Sequence, residues 1–384
     1  MPDDILEGIF SYLPRADLAA ICPQTRTFHR LSNPLLYRRL DGMFTRRAAL
    51  RLLVTCATQT RCSFKARILD GDSIGRVLEW SERGLLAAAL LNMPNLEVLS
   101  LPEFMEKEHL VDTYSHLRIL HITGPNIPVA FVARHRFVRQ MRFHSLCGFQ
   151  IPANMRRLGP GVPLQYVHCP ASVASHLLPS AGYSEPLQRR SFNGLYSVLD
   201  VFVPSRSQPE WVCSEQAREF FVALHKTHYA PHTIIIQRHL VRLLAREIER
   251  DREKFTVSVE CLRIRIDTLT VKKRTQYLEY TKTLLHFFEH LSTLELQDDA
   301  CTQLSAREWF NERFCESMRG LRPSLQLIVS PARLAFEYQG SQWIPVAPPS
   351  ILKDPFLSAG LSPLREDMKP VWDTEDDLTD SIYS

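Results

Sequence analysis

The sequence predicts an α/β fold in which three short N-terminal helices precede a parallel sheet built from repeated helix–strand units. Two observations predict it. Apolar residues recur with a helical period in residues 1–42, and prolines separate the apolar stretches. Between residues 75 and 330, a short apolar pattern recurs, and several copies follow a helix-like segment. The hydrophobic fraction of 45% is typical of a globular chain.

The first predicted helix begins at Asp3 or Asp4, because a carboxylate is favourable at the positive end of a helix. Pro14 ends it, since a proline disfavours the helical conformation of the residue before it. The apolar stripe of this helix consists of Ile5, Leu6, Ile9, Phe10 and Leu13.

The second helix is predicted to begin at Asp17 and to end at Pro23. The third carries Phe28 and Leu31 and is predicted to end at a turn over residues 33–34, where Asn precedes Pro. Forty residues cannot bury all of these apolar side chains alone, so a partner or the rest of the chain must cover part of them.

This region resembles an F-box. The residues that carry the resemblance are PxDILxxIFxxL over 2–13, DL at 17–18 and RxFxxL over 26–31. The continuation over residues 28–40 is similar to F-box proteins of filamentous fungi and mushrooms. The match covers about a tenth of the chain, and many positions agree in register.

The resemblance implies that residues 1–42 bind a Skp-type adaptor, and through it a cullin–RING ubiquitin ligase. The implied adaptor-binding residues are Pro2, Ile5, Leu6, Ile9, Phe10, Leu13 and Leu18. Met1 stands where the family usually has Leu, and Pro23 and Gln24 replace an apolar pair. Gln24 removes an apolar contact, which would weaken adaptor binding. The alternative is a helical hairpin that packs on its own body.

The apolar pattern of the body is apolar-x-x-apolar-x-apolar, which is the strand part of a leucine-rich repeat. Its copies are Leu96/Leu99/Leu101, Leu117/Leu120/Ile122, Val138/Met141/Phe143, Leu164/Val167/Cys169, Tyr196/Leu199/Val201, Val259/Leu262/Ile264 and Leu291/Leu294/Leu296. A further strand is predicted at 234–236, and helices are predicted from GLLAAALLNM and YLEYTKTLLHFFEHL.

These copies predict an irregular leucine-rich-repeat-like α/β solenoid with a parallel sheet over residues 75–330. The consensus Asn after the strand is missing, because Leu101 is followed by Pro102. An ordinary α/β domain with buried parallel strands is the alternative. Many F-box proteins carry such repeats, which is an argument by analogy.

The remaining regions are a helical linker over 43–74 and a Pro-rich, acidic tail over 331–384, which is predicted to be largely disordered. Residues 341–384 hold three Lys or Arg against eight Asp or Glu, so this segment carries −5 and the rest of the chain +9. This asymmetry alone does not indicate nucleic-acid binding.

Several features could indicate chemistry, and each has a simpler interpretation. His286, Glu289 and His290 match the HxxEH string of inverted zinc peptidases, but no third ligand is evident. His225 and His228 flank the end of a predicted helix, as an exposed helical His would.

No phosphate-binding glycine motif is present. The arginines of the helix 238–254 alternate with glutamates, which favours a solvated face over an acidic-target patch. The cysteines, Cys56 and Cys62 among them, form no CxxC pair and are predicted to be reduced thiols.

The sequence therefore predicts a non-enzymatic substrate receptor of an SCF-type ubiquitin ligase, with no cofactor or metal. Its expected partners are the Skp-type adaptor and an unknown protein target, without nucleic acid or membrane, in the cytoplasm or nucleus. The alternative is a repeat scaffold whose first helices pack internally or bind the adaptor without a cullin. A hydrolase is a more distant third.

Overall fold

A computed structural model describes residues 2–40, 45–102, 114–123, 129–135, 137–143, 164–178, 198–203, 209–227, 231–250, 257–265, 271–297, 310–330 and 334–347. The helices are α1 (Asp3–Ser11), α2 (Arg15–Ile21), α3 (Arg26–Arg38), α4 (Arg46–Thr58), α5 (Thr60–Ser63), α6 (Gly71–Val77), α7 (Arg83–Leu91), α8 (Val129–Arg134), α9 (Ala171–Leu177), α10 (Glu210–Lys226), α11 (Arg238–Arg250), α12 (Val271–Leu285) and α13 (Glu312–Leu321). A 3-10 turn covers Trp80–Glu82.

The strands are β1 (Arg39–Leu40), β2 (Ile68–Asp70), β3 (Val98–Leu101), β4 (Ile119–Ile122), β5 (Gln140–Phe143), β6 (Tyr166–Pro170), β7 (Val198–Phe202), β8 (Thr233–Ile236), β9 (Cys261–Arg265), β10 (Thr293–Gln297), β11 (Leu327–Val329), β12 (Ala335–Gln339) and β13 (Gln342–Val346). They form one open, 13-stranded sheet in which each strand pairs with the next in sequence. The pairs from β1 to β11 are parallel, and the last two pairs are antiparallel. The predicted α/β class and mostly parallel sheet are confirmed.

The second and third residues of all seven apolar triplets lie in strands, and the strand expected at 234–236 is β8. The second and third residues of each triplet face the helices and are buried, as Leu120 and Ile122 are in β4. Together with the helices they form the main core. The alternate strand residues form a smaller cluster on the opposite face, to which no described helix contributes. Tyr196 lies outside the described residues.

The predicted domain boundaries require correction at both ends of the sheet. The sheet begins at β1 and β2 rather than near residue 75, because Leu40 and Leu69 are buried in the main core. The linker predicted over 43–74 therefore contributes a strand. These two strands are too short for a periodic pattern to reveal them.

The tail predicted over 331–384 contains β12 and β13 within its first residues. Trp343 is buried in the main core, and the Arg319 guanidinium lies 3.5 Å from the centre of the Tyr338 ring. A few apolar side chains thus hold this hairpin against α13 and β11, despite the proline content of the segment. Residues 348–384 lie outside the described residues.

The turn predicted at residues 33–34 is wrong, because α3 continues through Pro34 to Arg38. A proline removes one helical hydrogen bond, but α3 is held by the packing of Leu31 and its neighbours against α1 and α2. The Thr25 hydroxyl accepts a hydrogen bond from Phe28 N and caps the start of α3.

Buried His135 makes the stability of the fold dependent on pH. Its Nε2 accepts a hydrogen bond from Tyr114 N at 2.8 Å, and its Nδ1 lies 2.6 Å from Phe131 O and must therefore carry the proton. Burial is the main cause that lowers the pKa of His135. The ring is neutral in the folded chain, and protonation would break the bond to Tyr114.

Because the folded-state pKa of His135 lies below the unfolded value of about 6.5, the unfolded chain binds the proton first as pH falls. We expect the stabilisation of the folded chain by neutral His135 to be complete above about pH 6.5 and to be lost progressively below it. Thermal unfolding between pH 7.5 and 5.5 should show a steeper loss of stability for the wild type than for His135→Gln. His290→Gln, at an exposed position, should retain the wild-type slope. Equal slopes for all three proteins would contradict the assignment.

Candidate functional site

The first three helices enclose a small apolar core of their own, which is separate from the main core. Phe10, Leu18 and Leu31 are its buried members, and the ring centroids of Phe10 and Phe28 lie 5.4 Å apart in an edge-on arrangement. The half-buried side chains around it are Leu6, Leu13, Ile21, Phe28, Leu35 and Leu36. An ion pair between Asp3 and Arg30 joins α1 to α3 at the surface.

The adaptor-binding residues predicted from the sequence fall into two groups. Phe10 and Leu18 are buried in this small core, so they present no free surface for the implied adaptor contact. Their side chains fill the space between the helices, which helical spacing alone does not reveal. Leu6 and Leu13 are half-buried against the same core. The exposed members are Pro2, Ile5 and Ile9.

A solvent-exposed apolar face remains on α1. Ile5 is 51% exposed and Ile9 is 47% exposed, and Tyr12, which follows the helix, is 90% exposed. Residues spaced by three and four positions lie on the same side of a helix. Tyr12 is not among the predicted docking residues, although its three-residue spacing from Ile9 is a signal for it. This face, made of Ile5, Ile9 and Tyr12, is called the α1 face below.

A row of polar and ionisable side chains lies on the sheet face opposite the helices. Register aligns five of them across adjacent strands, in the order Ser100, His121, Arg142, His168 and Asp200. Four strand pairings join these residues although they are far apart in the chain. Apolar periodicity does not predict this row, although each triplet carries a signal for it in the polar residue between its last two apolar positions.

Asp200 is the centre of this row and is only 1% exposed. Its Oδ2 accepts a hydrogen bond from the Tyr166 hydroxyl at 2.9 Å and lies 3.0 Å from His168 Nδ1. The Arg265 guanidinium approaches the same oxygen at 3.7 Å, and the His168 ring stacks on Phe202. Residues from three strands therefore converge on one buried carboxylate.

The charge of Asp200 is stabilised by its neighbours. Burial raises the pKa of its carboxyl, but the attraction of His168 and Arg265 and the hydrogen bonds from His168 and Tyr166 outweigh burial. The pKa of Asp200 therefore lies below its ordinary value, and the carboxylate is ionised at neutral pH. Burial, together with this negative charge, raises the pKa of the Cys169 thiol on the neighbouring strand.

The chemistry of this cluster is that of an oriented imidazole. A carboxylate that accepts from Nδ1 holds a His as it is held in general-base catalysis. In register, however, His168 lies between Arg142 and Asp200, so its cross-strand neighbours offer no hydroxyl or thiol for it to activate. The geometry therefore favours a structural ion cluster.

A buried ion pair connects the next two strands beyond β8. Arg263 Nε and Nη2 each lie 2.8 Å from Glu295 Oε2, and Gln297 donates to Glu295 Oε1 at 2.9 Å. Both charged side chains are about nine-tenths buried. This pair links β9 to β10 and leaves little of its charge accessible to a ligand.

The metal-like sequence string does not form a site. His286 and His290 lie in turns after α12 ends at Leu285, so they do not share a helix face as the spacing had indicated. Across the described ranges, no three His, Cys, Asp or Glu side chains come close enough to hold a metal ion. His225 lies in the last turn of α10, and His228 lies outside the described residues.

The arginine-rich helix packs as expected. In α11, Leu240, Leu243 and Leu244 are buried, whereas Arg242 and Arg246 lie 3.7 Å and 2.7 Å from Glu210 of α10. Intramolecular pairing thus compensates part of this charge. Cys56 is buried and Cys62 is half-buried, both as free thiols.

No protein-family model matches the chain, and no curated protein is similar to it. Among the described helices, none combines the length and the apolar character needed to cross a bilayer. The exposed α1 face is the feature of the described structure that bears most directly on function.

Proposed function

We propose that this chain is a substrate-recognition subunit of an SCF-type ubiquitin ligase and is not itself an enzyme. In this proposal, residues 1–42 form an F-box that docks on a Skp-type adaptor, and the repeat-like body is an irregular leucine-rich-repeat solenoid that presents a target protein. The observation that carries it is the α1 face, where two isoleucines and a tyrosine are exposed side by side.

The α1 face supports docking because exposed apolar patches of this kind mark interaction sites. Complete burial of an isoleucine side chain contributes about 1.5–3 kcal/mol. Ile5 and Ile9 are about half exposed, so a partner could still bury a substantial part of each. The proposed contact set therefore comprises Pro2, Ile5, Ile9 and Tyr12, with Leu6 and Leu13 at its margin.

In this proposal, the repeat-like body holds the target protein close to the ubiquitin-transferring subunits. The sequential, mostly parallel strand order is the arrangement that stacked helix–strand repeats would produce. A target held on such a body is brought near a charged conjugating enzyme, which raises the effective concentration of its lysines. Other subunits would carry out the transfer itself.

The experiment that tests docking is capture of a purified Skp-type adaptor by the full chain. We expect the wild-type chain to retain the adaptor and Ile5→Asp/Ile9→Asp to lose at least about 90% of it, because two charges would enter an apolar interface. The matched control is Val54→Asp/Leu91→Asp. These residues are 46% and 54% exposed on α4 and α7, and the same change there should leave capture intact.

Two results would reject the docking proposal. One is no capture by the wild-type chain at micromolar adaptor, and the other is undiminished capture by Ile5→Asp/Ile9→Asp. Circular dichroism should show equal helix content in both double variants, so that loss of capture reports the surface and not unfolding.

One observation favours a second candidate, a repeat scaffold without a ligase role. The first three helices already bury Phe10, Leu18 and Leu31 among themselves, and α3 runs directly into β1 of the sheet. Such a unit could serve as an end cap for the sheet. A chain that captures the adaptor but does not bring a cullin with it would favour this scaffold.

A further inference from the structure

The edge of the sheet at which the parallel strands begin carries a row of arginines. One residue immediately precedes each of the strands β1 to β5. These residues are Arg38, Arg67, Glu97, Arg118 and Arg139. Backbone hydrogen bonds join each to the next: Arg67 N to Arg38 O, Glu97 N to Arg67 O, Arg118 N to Glu97 O and Arg139 N to Arg118 O, at 2.7–2.9 Å. This set is called the arginine row below.

The arginine row has the dimensions of a binding surface for an extended chain. Neighbouring strands in a sheet lie about 4.8 Å apart, so the four intervals of the row span about 19 Å. Arg38, Arg118 and Arg139 are exposed, and Arg67 is half-buried. Each guanidinium presents several donors that match a carboxylate in two-point geometry.

The positive charge of the row is only partly compensated. Glu97 is its one acidic member and lies 3.7 Å from Arg67, whose Nη1 also donates to Asn95 O. Within the described ranges, Arg118 and Arg139 have no ion-pair partner although they are neighbours in register. Like charges that face each other across strands are unfavourable. A bound anionic group would relieve this repulsion.

The residues at this edge of the sheet carry less positive charge on the later strands. Gln165 follows Arg139 in the row, and further along His232 lies 2.9 Å from Glu260. The next positions are Ser292 and Gln326, which carry no charge. The excess of positive charge is therefore confined to the strands nearest the N-terminal helices.

We propose that the arginine row binds an extended, carboxylate-rich segment of a protein target. This inference rests on the proposed function, because the target is the protein that the receptor would present. In an extended peptide, alternate side chains point to the same side about 7 Å apart. Long, flexible arginine side chains can reach acidic residues at that spacing. Phe137, which is 64% exposed and lies two residues before Arg139, adds an apolar contact.

The neighbouring residues favour a peptide over single-stranded nucleic acid. Nucleic-acid grooves alternate basic residues with aromatic side chains on which bases stack. Here Arg67, Arg118 and Arg139 each follow a buried aliphatic residue. Those preceding residues are Ala66, Leu117 and Val138. The exposed rings of Phe64 and Phe137 lie near the row but occupy none of its positions, so the row itself supplies charge and hydrogen bonds.

The test measures fluorescence anisotropy of a labelled 12-residue peptide of alternating Glu and Ser with the full chain. A peptide of alternating Gln and Ser is the uncharged control. We expect the Glu peptide to bind and the Gln peptide not to bind. Arg118→Glu/Arg139→Glu should weaken binding at least about tenfold, because two attractions become repulsions. Binding should also weaken as salt rises from about 50 to 200 mM.

The matched control is Arg47→Glu/Arg51→Glu on the exposed side of α4, which changes the net charge of the chain by the same amount. It should bind the Glu peptide within about twofold of the wild type. Equal loss in both double variants would show that only net charge matters and would overturn the proposal. Undiminished binding by Arg118→Glu/Arg139→Glu, or tighter binding of oligo(dT) than of the Glu peptide, would also overturn it.

The chain's own acidic tail is a competing occupant. If the wild type does not bind the Glu peptide but Asp373→Asn/Glu375→Gln/Asp376→Asn/Asp377→Asn does, the row is occupied by the tail and the assignment to a target is overturned. Adaptor capture by Arg118→Glu/Arg139→Glu should equal that of the wild type. Capture and peptide binding are separate measurements, so failure of the docking proposal is distinguishable from failure of this one.

Discussion

Replacing Asp200 with Asn is expected to lower the free energy of unfolding by about 3 kcal/mol. The substitution preserves shape but removes the charge that holds His168, Arg265 and the Tyr166 hydroxyl together. Removing one partner of a buried ion cluster leaves the others desolvated without compensation, at a cost of about 3–5 kcal/mol. The lower end of that range applies because the Arg265 side chain is still about half exposed and can be hydrated.

The matched control is Asp3→Asn, since Asp3 pairs with Arg30 at the surface and both side chains are more than half exposed. An exposed pair of this kind contributes at most about 1 kcal/mol. Denaturant unfolding of the three proteins measures the difference. A loss below about 1 kcal/mol for Asp200→Asn would show that the cluster is not a source of stability.

The pH dependence gives a second measure of the same cluster. The pKa of Asp200 in the folded chain lies below the unfolded value of about 3.9. The unfolded chain therefore takes up the proton first as pH falls. The stabilisation is complete at neutral pH and is lost progressively below about pH 5. The difference in stability between wild type and Asp200→Asn should decrease in that range.

Replacing Phe10 with Ala is expected to unfold the first three helices while the sheet remains folded. Truncation of a buried phenylalanine costs about 3–5 kcal/mol. Among the described residues, the small core has three buried members, Phe10, Leu18 and Leu31, so this loss is a large part of its total. The edge-on contact with Phe28 is lost as well.

Hydrogen exchange distinguishes this local effect from global unfolding. Amides of α1 to α3 should lose protection in Phe10→Ala, whereas those of β3 to β10 should retain it, because their core is separate. Ile9→Ala is the control on the same helix, and its exposed side chain should make the cost about 1 kcal/mol or less. Loss of protection throughout the sheet would contradict the existence of two independent cores.

These two residues illustrate why only part of the predicted docking set is exposed. Ile9 and Phe10 are consecutive and equally apolar, and both belong to the stripe predicted for the first helix. Only the contact of α1 with α3 decides that Phe10 turns inward and Ile9 outward. A periodic pattern defines the apolar side of a helix but not the part of it that a neighbouring helix covers.

The strands could be predicted because each buries its alternate apolar residues in the same way, and this burial recurs along the chain. Leu99, Leu120 and Met141 are equivalent positions in successive strands and are all buried. The strands at the two ends were missed because they are short or lie in a proline-rich segment. β13 pairs through Pro345, and Trp343 supplies much of its anchoring.

Local apolar periodicity determines the fold class, the position of the central strands and the N-terminal helices. Each segment carries this periodicity in its own residues. It does not determine the ionic cluster of Asp200 or the arginine row, because their interacting members are separated by 21 to 65 positions in the chain. Strand register aligns His168 with Asp200 and Arg118 with Arg139. Charge acts through distance in space, and only the tertiary structure sets that distance.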